Sequence, residues 1–355
     1  MSPFYKNLFE EQIRHGSIVN VYVAVAKGFD FTSINLGEYT KISLNHNRYD
    51  RYFFHIKHFK ILKDIVRQYD IREFDILHAH SLFSNGYIAY KLYKRYGIPY
   101  IVAVRNTDVN VFFKYMLHLR KLGIKVLHNA KLVVFLSSKY REHTIVSYVP
   151  SNLQKEISDK SVILPNGVDR FWLNNKFNGS RNIKKNEIKI IYAGLISRNK
   201  NISTTVKACE ILRSAGYNVK FTIVGRAEDK KEFRLIKLHD FINYIDQQPK
   251  ENLLNLYRLN DIFVMPSIAE TFGLVYVEAM SQGLPLIYTK GQGFDGYFED
   301  GTVGYSVNCM NAWEISKRII DIIENYKSIS KNCLIFCNNF DWNIIAGKYK
   351  DIYEE

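Results

Sequence analysis

Ten short runs of apolar, largely β-branched residues recur along this chain, with room for a helix between most neighbours. Five lie in the first half, at 18–25, 74–80, 99–105, 131–137 and 161–166, and five in the second, at 188–194, 219–225, 241–246, 261–267 and 285–289. Several, such as IVAV and LVVFL, are apolar at consecutive positions. Both faces of such a strand must be covered, which is the pattern of parallel sheets flanked by helices. Ten strands are too many for one comfortable sheet, and 355 residues are long for one core. The spacing therefore predicts an α/β chain of two doubly wound, Rossmann-like domains. The Asn-rich stretch NGVDRFWLNNKFNGSRNIKKNE has little periodicity and predicts the hinge, with domains at 1–170 and 171–339. Each domain should bind ligand at the carboxyl ends of its strands, and a cleft forms where two such domains face each other.

Charge is uneven. Residues 1–170 carry 25 Lys and Arg against 14 Asp and Glu, while the remainder carries 24 against 21. In the first half the cations sit beside aromatics, as in YFFHIKHFKILKDIVRQYD and VFFKYMLHLRKLGIKVLHNAK. That pairing suits an anionic membrane surface, and no nucleic-acid motif accompanies it. No apolar run reaches the roughly 18–20 residues that span a bilayer. MSPFYKNLFEEQIRHG is charged throughout and is not a secretory signal. Four cysteines form no disulfide framework. A cytoplasmic protein, peripheral at the inner face of the plasma membrane, is expected.

SIAETFGLVYVEAM places Glu270 and Glu278 in an otherwise apolar segment. Glu270 follows the run at 261–267, TFG turns the chain, and a helix is expected from Gly273 or Leu274 with Glu278 inside it. Unpaired N–H groups at a helix start suit a phosphate. GLISRNKN, on another strand-to-helix loop, adds Arg198 and Lys200 for a diphosphate. Two carboxylates beside an anion site make sense as acceptors of hydrogen bonds from sugar hydroxyls.

These segments resemble the retaining glycosyltransferases of family 4, which have the GT-B fold of two Rossmann-like domains facing across a cleft. The resemblance rests on EIKIIYAGLISRNKNISTTVKA, VKFTIVG, DIFVMPSIAETFGLVYVEAMSQGLPLI, VILPNGVD and FDILHAHSLFSNGYIAYKLYKRYGIPYIV, in that family's order. It implies that Lys200 and Arg198, with backbone groups of Phe272, Gly273 and Leu274, contact the donor diphosphate. It implies Glu278 on the ribose, Glu270 at the donor sugar, Gly194 in the phosphate loop, and Gly225 and Arg226 by the nucleobase. FDWNIIAGKYKDIY resembles the family's last helix, so 340–355 should rejoin the first domain. Neither a metal nor another cofactor is implied, because basic groups and the helix start stabilise the leaving diphosphate.

Two departures accompany the resemblance. Where the family has a His-Gly pair after the strand at 99–104, this chain has Arg105 and Asn106, followed by Thr107 and Asp108. Arg105, Asp108 and His80 are the expected residues of the acceptor side. The family's opening strand also has no counterpart before SPFYKNLFEEQ. Two further patterns are weaker. GQGFDG spells Gly-x-Gly-x-x-Gly without a long helix after it, which reads as a turn near the donor. His78 and His80 alternate on one strand and so share a face.

The resulting expectation is a retaining transferase moving a sugar from a nucleotide diphosphate, most simply UDP, to a glycan or lipid-linked acceptor in cell-surface polysaccharide assembly such as capsule or exopolysaccharide. The alternatives are a nucleotide-sugar epimerase of the same fold and a catalytically impaired binding partner.

Overall fold

A computed structural model of the chain describes residues 4–30, 36–184 and 186–354. The chain forms two units. The first takes the described residues up to Leu136, Tyr140–Pro165 and those from Trp342 onward; the second takes Ser137–Lys139 and Asn166–Asp341.

In the first unit, β1 (Val21–Ala26) pairs in parallel with β2 (Thr40–His46). A separate parallel sheet runs in the order β3 (Leu77–Ala79), β4 (Tyr100–Ala103), β5 (Leu132–Phe135), β6 (Ser161–Ile163). All four residues of β4 are buried, because alternate side chains enter different cores. Tyr100 and Val102 pack with Val126, Val133 and Phe135 on one face. Ile101 and Ala103 pack with Leu8, Phe9, Val134 and Trp342 on the other. That second core is closed by the chain's first and last helices, Phe4–Arg14 and Trp342–Glu354. Gln12 of the first helix donates to the Tyr353 hydroxyl of the last at 2.7 Å.

The second unit holds six parallel strands, β7 (Glu187–Ala193), β8 (Asn218–Val224), β9 (Ile242–Ile245), β10 (Ile262–Val264), β11 (Leu286–Thr289) and β12 (Gly304–Val307). Their order is β12-β11-β10-β7-β8-β9. The winding starts at β7, proceeds outward through β8 and β9, then returns to β10 on the other side. The reversal leaves a crevice at the carboxyl ends of β7 and β10.

The expected strands are present, and two more were missed. β2 (TKISLNH) mixes polar and apolar residues and is only partly covered, and β12 (GYSV) is short and opens on glycine. The stretch read as a hinge is docked on the second unit. Its helix Arg170–Asn174 buries Trp172 against Tyr257, ring centroids 5.6 Å apart. Asp169 caps that helix through the Phe171 N–H and pairs with Lys250 at 3.0 Å. Arg181 is 9% exposed. Its guanidinium donates to the Gln282 carbonyl at 2.9 Å, the Tyr326 hydroxyl at 3.4 Å and the Asn260 carbonyl. These partners lie far off in sequence, so a local reading sees only a polar linker.

Replacing Arg181 by Met should lower the unfolding free energy by about 2–3 kcal/mol, since carbonyls left buried without a donor bear the desolvation cost. Lys should not restore it, because one ammonium cannot reach the same fork of acceptors. Denaturant melts of the three proteins check both statements.

Candidate functional site

Two glycines let the strand ends approach. Gly194 and Gly225 have φ of 151° and 147°. A Cβ on Gly225 would stand 1.8 Å from the Gly194 carbonyl oxygen, so the turns after β7 and β8 lie backbone against backbone. Beyond Gly194, Ile196 N–H donates to the Arg226 carbonyl at 3.0 Å, and the chain makes a short 3-10 turn over Arg198–Lys200. Asn201 ends that turn at φ 54°, the one non-glycine with positive φ among the described residues. Its side chain holds this conformation by donating to the carbonyls of Pro266 (3.1 Å) and Cys309 (2.5 Å) and accepting from Thr204 Oγ1 (2.7 Å).

Asn199 joins this turn to the loop after β10. Its Nδ2 donates to the Ala269 carbonyl at 2.9 Å, its Oδ1 accepts from Ala269 N–H at 3.1 Å, and its carbonyl accepts from Ile268 N–H at 2.8 Å. Lys200 Nζ thereby stands 2.5 Å from Glu270 Oε2. The other carboxylate oxygen accepts the Thr271 N–H at 3.1 Å. Behind them, Glu270 N–H donates to Gln292 Oε1 at 3.0 Å, and Gly293 N–H donates to the Glu270 carbonyl at 2.8 Å. A Cβ on Gly293 would fall 2.0 Å from the Thr271 carbonyl, so only glycine lets this second loop back the first. GQGFDG is therefore a turn bracing Glu270.

Phe272 is 2% exposed, and its ring packs with Phe294, Tyr297 and Phe340. Only its backbone remains for a ligand. Gly273, at φ 80°, starts the helix Leu274–Ser281 without a side-chain cap. Its Cβ would strike the Tyr276 ring at 2.6 Å. This uncapped helix start lies beside Glu270, a Cβ on Gly273 standing 3.4 Å from the Glu270 Cγ.

Glu278 lies farther along that helix, half-buried, beside the Tyr257 hydroxyl and Asp169. Burial first, and the Asp169 charge second, push its carboxyl up to about 7, with the Tyr257 hydroxyl pulling partly back. Arg198 takes a different direction from Lys200. It is exposed, and its charge acts on Glu232 of the helix Lys230–Ile236. Arg226 is exposed as well. The second unit thus brings together Lys200, Glu270 and the helix start, with Arg198 at the margin. Sequence reasoning did not single out Asn199, Asn201, Gln292, Tyr257 or Asp169. The first three sat inside motifs already noted for their charges or glycines.

In the first unit Asp108 is 2% exposed and accepts three backbone N–H groups, from Leu82 (2.9 Å), Phe83 (3.1 Å) and Arg105 (2.9 Å). It braces the chain after β3 and β4. Arg105 donates to the His80 carbonyl at 3.3 Å and lies by Tyr349. His78 and His80 do share a face, with ring centroids 4.0 Å apart. Burial, then nearby positive charge, holds His78 down at about 3 and His80 well below the ordinary imidazole range. Both are neutral at physiological pH. Among the described residues no three His, Cys, Asp or Glu converge as metal ligands.

With this geometry in place, two family matches account for nearly the whole chain. Residues 4–170 match Glycosyltransferase Family 4, and residues 174–333 match Glycosyl transferases group 1. The chain belongs to the GT-B glycosyltransferases. This glycosyltransferase is 25% identical to an alpha-monoglucosyldiacylglycerol synthase of Acholeplasma laidlawii, over 82% of this chain and 78% of the relative. Among solved structures it resembles sucrose-phosphate synthase of Thermosynechococcus elongatus, with a TM-score of 0.73 and 19% identity, over 98% of this chain and 91% of the other. It also resembles HepE of Anabaena, solved with UDP and glucose, with a TM-score of 0.71 and 16% identity, over 100% and 97%. Those two likenesses are of fold.

Glu278 generates a pH prediction. Its folded pKa lies above the unfolded carboxylate value, so the protonated form is favoured in the fold. The stability it contributes is complete below about pH 4.5 and is lost as pH rises through about 7. Glu278→Gln should remove that decline, which denaturant melts between pH 4 and 8 would show.

Proposed function

We propose that this glycosyltransferase moves a sugar from UDP to a hydroxyl of a glycan or lipid-linked acceptor, with retention of configuration, in cell-surface polysaccharide assembly. The observation that carries the reading is the Lys200–Glu270 pair beside an uncapped helix start, at the point where the second sheet reverses its winding. A diphosphate entering there replaces Glu270 as the counter-charge of Lys200 and takes the free N–H groups of the helix. Glu270, released, accepts a hydroxyl of the donor sugar. Glu278 accepts the ribose diol, and Gly225 and Arg226 border the base. Arg198 supplies a second cation at the margin.

As the bond from the anomeric carbon to the phosphate oxygen breaks, negative charge grows on the diphosphate. Lys200 and the helix N–H groups stabilise that growth more than they stabilise the ground state. The acceptor oxygen then bonds to the same face of the carbon, and its proton passes to the departing phosphate oxygen. The lysine and the helix supply the electrostatic work, so the reaction should proceed in a chelator. The glucosylated lipid in the name of the Acholeplasma relative supports a lipid or lipid-linked acceptor.

Lys200→Ala should lower kcat far more than it raises KM, and Glu278→Ala should weaken UDP binding by about 1–3 kcal/mol. UDP binding to the wild type near pH 7 should also release protons, because a diol donating to Glu278 favours its charged form. Calorimetry in buffers of different ionisation enthalpy reads this release, and Glu278→Gln should abolish it. Wild-type turnover by Lys200→Ala would overturn the site. Conversion of the sugar without any acceptor would replace transfer by epimerisation.

Location at the inner face of the plasma membrane belongs to the same proposal. Among the described residues no helix is long and apolar enough to cross a membrane. The first unit exposes Tyr49, Tyr52, Phe53 and Phe59 on the segment 48–68, with Arg48, Arg51 and Lys63 also exposed. Phe54 packs against Phe112 at 6.2 Å, which sets this segment beside the exposed Tyr115, Leu117 and Lys114. Exposed aromatics suit the membrane interface, and the exposed cations among them suit anionic headgroups. Binding to vesicles containing phosphatidylserine should fall with rising salt and with Phe59→Ser, as sedimentation would report.

A further inference from the structure

Three amide side chains brace the loops around Lys200 and Glu270, and they are spent to different extents. Asn199 gives its Nδ2 to the Ala269 carbonyl and takes the Ala269 N–H on its Oδ1. Asn201 gives its Nδ2 to the carbonyls of Pro266 and Cys309 and takes the Thr204 hydroxyl on its Oδ1. Gln292 uses one half of its amide. Its Oε1 accepts the Glu270 N–H at 3.0 Å, and its Nε2 has no acceptor among the described residues. The side chain is half-buried, and Nε2 is not among the buried nitrogens left without a partner, so solvent reaches it.

The turn that carries Gln292 is tied to itself and to Glu270. Gln292 N–H donates to the Thr289 carbonyl at 3.3 Å, and the Gln292 carbonyl accepts the Asp295 N–H at 2.8 Å. Asp295 Oδ2 accepts the Gly291 N–H at 2.7 Å. Next along the chain, Gly293 N–H holds the Glu270 carbonyl and lies so close to Thr271 that no Cβ fits. A planar amide anchored at its oxygen has its nitrogen fixed as well. Nε2 is therefore a donor held beside Glu270 before any ligand arrives, which lowers the ordering cost of a bond to it. Bracing Glu270 takes only an acceptor, and a carboxylate would be a stronger one. The NH2 group of Gln292 adds nothing to that brace. It suits an oxygen lone pair on something that enters the site.

Resting on the reading of this site as one for a nucleotide sugar, we propose that Gln292 Nε2 donates to a ring hydroxyl of the transferred sugar, and that Glu270 accepts the proton of that same hydroxyl. A hydroxyl carries one O–H donor and two lone pairs, so it satisfies both groups at once. A sugar without it leaves a carboxylate and an amide hydrogen unpaired in the site. Gln292 is thus a specificity-determining residue. It reads the hydroxyl pattern of the sugar, while Lys200 and the helix start answer to the diphosphate that all such donors share.

The test needs no acceptor. Calorimetry on the full chain finds which of UDP-glucose, UDP-galactose and UDP-N-acetylglucosamine binds tightest, then measures Kd for that donor, for its analogues lacking one ring hydroxyl each, and for UDP alone. In the wild type one missing hydroxyl should weaken binding by about tenfold or more. Gln292→Met, of similar length and unable to donate, should shrink that one penalty by about fivefold or more, while the other penalties and the Kd of UDP stay within about twofold. A residue that only braces the loop would shift parent and analogues alike. Gln292→Glu keeps an acceptor for the Glu270 N–H, so the brace survives, and it should shrink the same penalty. The inference is overturned, with the transfer reading intact, if the penalties are equal in the wild type and both variants. A loss of UDP binding in Gln292→Met as large as the loss of donor binding also overturns it, because the amide would then serve the diphosphate. A wild type that binds neither UDP nor any of the three donors overturns both readings together.

Discussion

The ion pair between Lys200 and Glu270 joins the two loops that the reversal of the second sheet sends apart. β7 and β10 are neighbours, but the connections leaving their carboxyl ends turn to opposite sides, so nothing in the winding itself holds them together. Three polar side chains do. Asn199 bonds the first loop to the second along the backbone, Asn201 fixes the turn that presents Lys200, and Gln292 holds Glu270 from behind. The pair is partly exposed, at 21% and 15% for the two side chains, so its net worth to stability is small. Its importance is positional: it keeps a cation and an anion facing one crevice, and either can be exchanged for a polar ligand.

The pattern of apolar runs carried most of the architecture because burial on both faces leaves a near-continuous signature, as in β4 and β5. Where burial is one-sided or the strand is brief, the signature fades, and β2 and β12 went unread. The stretch between the two units carries contacts that sequence does not show, for a related reason. Arg181 and Trp172 look like linker residues until Asn260, Gln282 and Tyr257 arrive from the distant chain. The site was legible in its charges and glycines, since Lys200, Glu270 and Gly273 stand where loop and helix logic puts them. It was illegible in its supports, because an asparagine side chain announces no partner in advance.

The first unit shows how context reassigns a residue type. Asp108 follows the Arg105–Asn106 pair after β4, and its two oxygens gather three N–H groups from two segments, 82–83 and Arg105. His80 and His78 are ionisable by type and neutral by place, since the aromatic packing of Tyr5 and Phe9 and the charge of Arg105 all oppose protonation. Sequence could place these side chains on one face, but their protonation depends on what closes over that face.

The same reasoning separates the two glutamates of SIAETFGLVYVEAM. Glu270 meets the Lys200 ammonium at 2.5 Å and accepts the Thr271 N–H at 3.1 Å. Glu278 meets burial and Asp169, and both favour the proton. Eight positions apart in sequence, the two groups meet different partners, so they are suited to different tasks. The first can trade one charged partner for another. The second gains a charge only when something donates hydrogen bonds to it, which makes its ionisation a consequence of ligand binding rather than a precondition. A chain that needed two equivalent carboxylates would not bury one beside Asp169 and leave the other beside Lys200.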